Sequence, residues 1–307
     1  MAVYEHTYRN YAGPLTPEWN RFLIIPRHAL SDIFRWNVFS VFLVIFLVIS
    51  FIPLLVESIF IYLHHNVNVL ATWQLNVKEL IPIDGSFFQV FVNIQGGFAF
   101  FVTLLVGPPL VARDLRNNAL PLYLCRPFSR PEYVAGKMAV ILFLLSLITW
   151  IPQLLLFLFQ SYLEGARWFV DNLWIAAAIF ISSFVWILLL ALLSLAISAV
   201  VKWRIIASGA LIGLFFVPSV FGEVVNQLFR TRWGSLISLG ALMKNVSAGL
   251  FRTFEPIQRF TIDIDGDLVA GMISEPPLWC SWLVLFIVCA ICLAILSAKV
   301  KAYEVVK

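Results

Sequence analysis

Charge is what this sequence has least of. Only 12% of its 307 residues are Asp, Glu, Lys or Arg, against 61% apolar, and the mean hydropathy is +0.92. A soluble domain of this length has too small an interior to take up that much apolar surface, so a water-soluble fold is excluded and a membrane protein is expected. Cysteine is scarce as well. Cys125 falls in a polar connection, and Cys280, Cys289 and Cys292 fall in or beside the last apolar run. No disulfide framework can be built from that distribution, no histidine stands at ligand spacing, and all four read as small apolar fillers.

Motifs for chemistry are also lacking. No segment fits the phosphate-cradling pattern G-x-x-x-x-G-K-[ST]. "AGKM", 135–138, has the Gly-Lys pair without the earlier glycine or the following hydroxyl. Neither H-E-x-x-H nor G-x-S-x-G occurs. His64 and His65 are adjacent and cannot share a helix face, so they read as polar residues of the membrane interface. "DIDGD", Asp263 to Asp267, has the acidic density of a calcium loop but not its order, and reads as an exposed turn with Gly266 at its tip. The expectation is a chain with no enzymatic activity, metal or cofactor of its own and no affinity for nucleic acid. The first thirty residues hold Arg9, Arg21 and Arg27 among tyrosines and prolines, unlike a secretory signal, so the first apolar run is expected to be retained.

What is present is a set of runs near the 20 apolar residues that cross a bilayer. There are six: Phe39 to Leu63, Phe87 to Val111, Met138 to Phe159, Leu173 to Val200, Ile205 to Phe221, and Leu278 to Lys299. An even number of spans puts both termini on one side. Fourteen of the 21 lysines and arginines fall in the N-terminal tail, the 112–137 loop, the 201–204 turn and the C-terminal end, counted from Lys299. By the positive-inside rule those segments, and both termini, are cytoplasmic. The division is a tail over 1–37, a six-span membrane domain over 38–300 and a short tail over 301–307.

The 112–137 loop is a dense charged stretch between two apolar runs. Arg113, Asp114 and Arg116 extend the second helix, and Asn117 with Asn118 suits the left-handed turn that ends one. Ala119 to Cys125 reads as a short apolar helix with Pro121 in its first turn. Arg126, Pro127, Ser129, Arg130 and Pro131 form a rigid basic turn, Glu132 and Tyr133 open the third helix, and Lys137 marks its entry into the bilayer.

These residues resemble a known family. "LPLYLCRP" followed by "SRPEYVAGK", with "YRNYAGPLTP" near the start and "KAYEVVK" at the end, looks like permease subunits of the type 2 superfamily of ATP-binding-cassette (ABC) exporters. Asn118 departs from the glycine found in many members, yet asparagine adopts the same backbone shape. The resemblance implies a cytoplasmic coupling helix that docks on a separate ATPase. Leu120, Tyr123 and Leu124 would be its apolar contact face, and Asp114, Arg116, Arg126, Arg130 and Glu132 its charged surround. It further implies two ATPase copies that carry ATP and Mg, a second permease subunit (self or a paralogue), surrounding lipid, and a bacterial inner-membrane location. On charge alone the arginines read first as a topology signal, and it is the prolines, Tyr123 and the regular spacing that favour a docking shape.

Thr16 to Asn37 reads as an amphipathic helix lying along the membrane, with Thr16 as cap, Pro17 and Glu18 in its first turn, and a kink expected at Pro26. Within the spans, Glu57 is the clear ionisable group and calls for a functional hypothesis. Gln89, Asn93 and Gly96 share one face of the second span, as glue between helices or as lining of a polar path. Gly209 with Gly213, and Ser194 with Ser198, are small-xxx-small pairs suited to close packing, and the fifth-span pair to packing across a dimer. In the long 222–277 segment, Leu239, Leu242, Met243, Val246 and Leu250 mark an apolar stripe, read as short re-entrant helices that form an outer gate. Together these features give an all-α, six-span permease subunit that exports its substrate as a dimer. Its rivals are a secondary transporter and a non-transporting membrane scaffold.

Overall fold

The computed structural model describes residues 23–35, 38–66, 82–117, 130–201, 203–229, 231–253, 258–262, 268–272 and 276–299. Within them a short helix α1, Ile24–Ile33, precedes a first span made of α2, Val38–Ile49, and α3, Ile52–His65. The second span is α4, Gly85–Arg116. The third is α5, Arg130–Ile148, continued by α6, Trp150–Glu164. A small helix α7, Ala166–Asp171, leads to the fourth span, α8, Leu173–Val200, and the fifth, α9, Arg204–Phe229. A 3-10 turn, Trp233–Leu236, and α10, Leu239–Leu250, come next. Strands β1, Gln258–Ile262, and β2, Leu268–Met272, pair antiparallel before the sixth span, α11, Leu278–Lys299. Among the described residues six helices are long and apolar enough to cross a membrane and one hairpin is the only sheet, so the chain is an all-α integral membrane protein in its main architecture.

The fifth span reaches Phe229 rather than Phe221, with Pro218 inside the helix, because the helix continues past the end of the apolar run through the more polar residues 222–229. The first and third spans are interrupted where hydroxyls and prolines meet. Ser50 Oγ donates to the Leu47 carbonyl at 2.6 Å just before Pro53, and Thr149 Oγ1 donates to the Leu145 carbonyl at 2.7 Å just before Pro152. Each proline lacks the N–H that would continue the ladder, and the hydroxyl takes up a carbonyl on its approach. The apolar stripe predicted over 239–250 is a helix, capped by Ser238 Oγ, which accepts from the Ala241 N–H at 3.2 Å. The hairpin was not foreseen. Its strands flank the Asp263 to Asp267 segment, which lies outside the described residues. Pro26 stands in the first turn of α1, where a missing N–H costs little, and residues 1–22 also lie outside the described set.

The second span carries two successive prolines, Pro108 and Pro109. Two hydroxyls from other spans repair it. Ser198 Oγ accepts from the Ala112 N–H and donates to the Pro108 carbonyl, both at 2.7 Å, so it stands between two groups that a regular helix would pair with each other. Ser208 Oγ of the fifth span donates at 3.2 Å to the Leu104 carbonyl, the acceptor that Pro108 cannot serve. Close approach makes this possible: a Cβ on Gly107 would lie 2.6 Å from Ser194 Cβ and Oγ. The predicted Ser194 and Ser198 pair is therefore the seam between the second and fourth spans.

The largest apolar cluster sits on this seam, and a second, aromatic-rich one fills the end away from the 118–129 connection. Spans three and four are more than half buried within the chain, whereas spans one, five and six bury under a third.

Gly107→Ala should lower the thermal midpoint in detergent, at a cost of about 1–3 kcal/mol from overpacking. Gly97→Ala, where an added Cβ meets nothing within 4 Å, should leave the midpoint unchanged or raise it, since alanine is the better helix former. A scanning fluorimetry comparison of the two checks this.

Candidate functional site

Two regions concentrate polar groups: the base of the 118–129 connection and a cavity toward the opposite end of the bundle. At the first, Lys137 Nζ lies 2.8 Å from Asp114 Oδ2, and Tyr133 donates its hydroxyl hydrogen to the same oxygen at 2.8 Å. The lysine and aspartate side chains are only 8% and 14% exposed and Tyr133 is fully buried, so the contact is shielded from water and ties the end of α4 to the start of α5. The Lys137 ammonium also stands 5.7 Å from the Tyr133 ring centroid. Helix α1 packs against α5, and Arg113 reaches Asp32 at 3.4 Å on the surface.

This platform contains Asp114, which is buried in the ion pair rather than displayed, together with exposed Arg116 and half-buried Glu132. Arg130 opens α5, but its side chain is outside the described set. So are Leu120, Tyr123, Leu124 and Arg126.

At the second region an inner cavity of about 140 Å³ lies between spans two, three and four and helix α10. Asn93 and Gly96 line it, with Thr149, Ser182 and Ser183 opposite. Gln89 does not. It serves as glue, donating to Ser247 Oγ at 3.2 Å and accepting from Thr253 Oγ1 at 2.5 Å, which fastens α10 to the second span. Gly96 has both roles: it lines the cavity and its carbonyl accepts from Trp186 Nε1 at 2.9 Å. A larger, more polar cavity of about 550 Å³ adjoins the first around Gly240 and Lys244 and reaches Glu223 and Arg232 near the far end. Its floor is held by Ser219 and Ser238, whose hydroxyls are 2.7 Å apart. The Asn226 Oδ1 atom accepts from the Gly234 N–H at 2.7 Å. A side chain at Gly222 would collide with the Gly234 carbonyl.

A third feature is buried and polar but lines neither cavity. Both carboxyl oxygens of Glu57, both amide atoms of Gln95 and Gln153, and Oε1 of Gln160 are buried without a hydrogen-bond partner. The three glutamines fall in α4 and α6, and α3 packs against both helices. His65 Nε2 and Glu164 Oε1, 3.0 Å apart, set the level between α3 and α6. Counting back at 1.5 Å per residue puts Glu57 about 12 Å below that contact and Gln160 and Gln153 about 6 and 16 Å below it. Glu57, Gln153 and Gln160 thus lie within a few helical turns of one another along the bundle.

Sequence reading singled out Glu57 but not the glutamines or Lys244. The i, i+7 repeat of Gln153 and Gln160 in an apolar run, and the Ser182-Ser183 pair in another, were the available signals. Gly209 and Gly213 have nothing within 4 Å of an added Cβ and face away from the rest of the chain. No protein-family model matches the chain, and comparison with curated proteins finds no match.

Lys137→Met should destabilise the protein by about 3–5 kcal/mol, because it strands the buried Asp114 carboxylate. Adding Asp114→Asn should recover most of that loss, read as the thermal midpoint in detergent. Glu57→Leu should raise the midpoint, since it removes a buried carboxyl whose oxygens have no partner. An unchanged or lowered midpoint would mean that Glu57 has a stabilising partner in the assembled protein.

Proposed function

We propose that this chain is the permease subunit of an ATP-driven ABC exporter, with both termini and the 112–137 loop in the cytoplasm. The observation that carries the reading is the platform beneath that loop. The Asp114, Lys137 and Tyr133 contact joins the two helix ends that frame it, and α1 is packed on the same helix. A loop that only signalled topology would need positive charge but no such rigid base. The residue pattern of 119–130, which resembles a coupling helix, supplies the shape that docks on a partner ATPase.

Closure of two ATPases on ATP would push on this platform. The second span runs unbroken from it to Asn93 and Gly96 at the inner cavity, so motion at one end is delivered to the other. Dimerisation fits the face of the fifth span that holds Gly209 and Gly213, where an added Cβ would meet nothing within 4 Å among the described residues. In this reading the cavity near α10 is the outer part of the path, and α10 with its 3-10 turn is the gate.

A second reading, an ion-coupled secondary transporter, is favoured by the buried groups Glu57, Gln95, Gln153 and Gln160, since intramembrane ionisable and amide groups mark ion paths. Transport that persists after ATP is depleted while the ion gradient is kept would select it.

The test of the first reading is affinity purification of the tagged protein in mild detergent with mass spectrometry of what copurifies. An ABC ATPase should be recovered with wild type and lost from Arg126→Glu/Arg130→Glu, with the variant still inserted in the membrane. Recovery of no ATPase in several detergents would overturn the proposal. Equal recovery with the variant would remove these arginines from the docking surface.

A further inference from the structure

The two adjoining cavities share one charged residue. Lys244, on α10, is the single charged side chain lining the inner cavity among the described residues, and it lines the outer one as well. Its ammonium is exposed and pairs with no carboxylate among the described residues. Most polar neighbours are already committed: Trp186 Nε1 to the Gly96 carbonyl, Asn226 Oδ1 to the Gly234 N–H, and Asn245 Nδ2 to Ser235 Oγ at 3.4 Å. The outer cavity carries two cations, Arg232 and Lys244, against one acid, Glu223.

We infer that this site binds an amphiphile with a single anionic headgroup, carboxylate or phosphate, held by Lys244, and an apolar portion lying in the inner cavity. That calls for an uncommitted cation at the junction and a mostly apolar wall beyond it, and both are present. Val92, Met243 and the Trp186 ring supply the wall, and Asn93, Ser182 and Ser183 supply hydroxyl and amide contacts beside it. The inner cavity alone is smaller than the roughly 300 Å³ that a drug-sized molecule needs. The ligand therefore spans the junction, with its charged group at Lys244 and its remainder divided between the cavity and the open side along exposed Asn93 and Gly97. A neutral ligand of the same shape would gain nothing from the ammonium, and a cationic one would be repelled. Calling this ligand the substrate rests on the proposed transport role, whereas its binding does not.

The experiment uses the purified full chain and bromine quenching of tryptophan fluorescence. The probes are 9,10-dibromostearate added from solution, phosphatidylglycerol with dibrominated tails in mixed micelles, and the uncharged dibromostearyl alcohol as control. A saturable quench that disappears in Trp186→Phe reports the inner cavity. Its half-saturation concentration should rise about tenfold in Lys244→Gln and be restored in Lys244→Arg, the size expected for losing one charge-assisted hydrogen bond. A response to dibromostearate only would identify a free acid as ligand, and a response to the brominated phosphatidylglycerol would identify a bilayer lipid. Both support the inference. Equal saturable quenching by the alcohol, an unchanged half-saturation in Lys244→Gln, or the absence of any component dependent on Trp186 would overturn it. Lys244 is exposed, so its variants are expected to fold as wild type does, checked by their thermal midpoint. Binding is read without an ATPase, so it stands or falls separately from the copurification result.

Discussion

Two consecutive prolines in a membrane helix leave carbonyls with no amide to meet and no water to turn to, and in hydrocarbon each orphaned group is expensive. The second span can carry Pro108 and Pro109 because Ser208 delivers a hydroxyl to the Leu104 carbonyl, which Pro108 cannot serve, and Ser198 bridges the Ala112 N–H and the Pro108 carbonyl just beyond. That delivery dictates much of the remaining architecture. The fourth span must run close enough for Ser194 to touch Gly107, which fixes a close seam between the second and fourth spans, and the fifth must cross at the same height. The main core then forms around this crossing, and the fourth span becomes the most thoroughly surrounded helix.

The polar cavity follows from the same arrangement. With the second and fourth spans in contact at Gly107, they are also joined nearer the far end by Trp186 and Gly96. Between those helices, the interrupted third span and α10, the remaining space is lined by Asn93, Thr149, Ser182 and Ser183. Helix α10 is not free to drift from it, because Gln89 and the Ser219 to Ser238 contact bind it to the second and fifth spans. The loop platform and the cavity are thus two ends of one continuous helix whose only irregularity is braced from both sides.

Span number, span order and the short helix over 239–250 were legible in the sequence, because apolar runs of bilayer length and a stripe at helical spacing are local signals. The small-residue pair Ser194 and Ser198 was legible as a packing motif, but its chemistry was not. Nothing in a linear reading says that a serine in one span will stand between two backbone groups of another. Interruptions at Ser50 and Thr149 were missed because apolar continuity hides a nearby proline. Asp114 read as a displayed charge since its partner Lys137 lies 23 positions further on, and Lys244 drew no notice because its role depends on cavities that tertiary packing creates. The hairpin near Asp263 was invisible to a reading tuned to helical periodicity.

The breaks at Ser50 and Thr149 give the bundle unequal compliance. Spans one and three are each two rods joined at a non-helical residue, whereas spans two and four are single rods fastened side by side. A load applied where the second and third spans meet at Asp114 and Lys137 therefore divides unevenly. The third span can yield at Thr149, while the second transmits without bending at that level. Displacement of the platform would then arrive at the cavity wall as relative sliding, with Asn93 displaced further than the groups beyond Thr149.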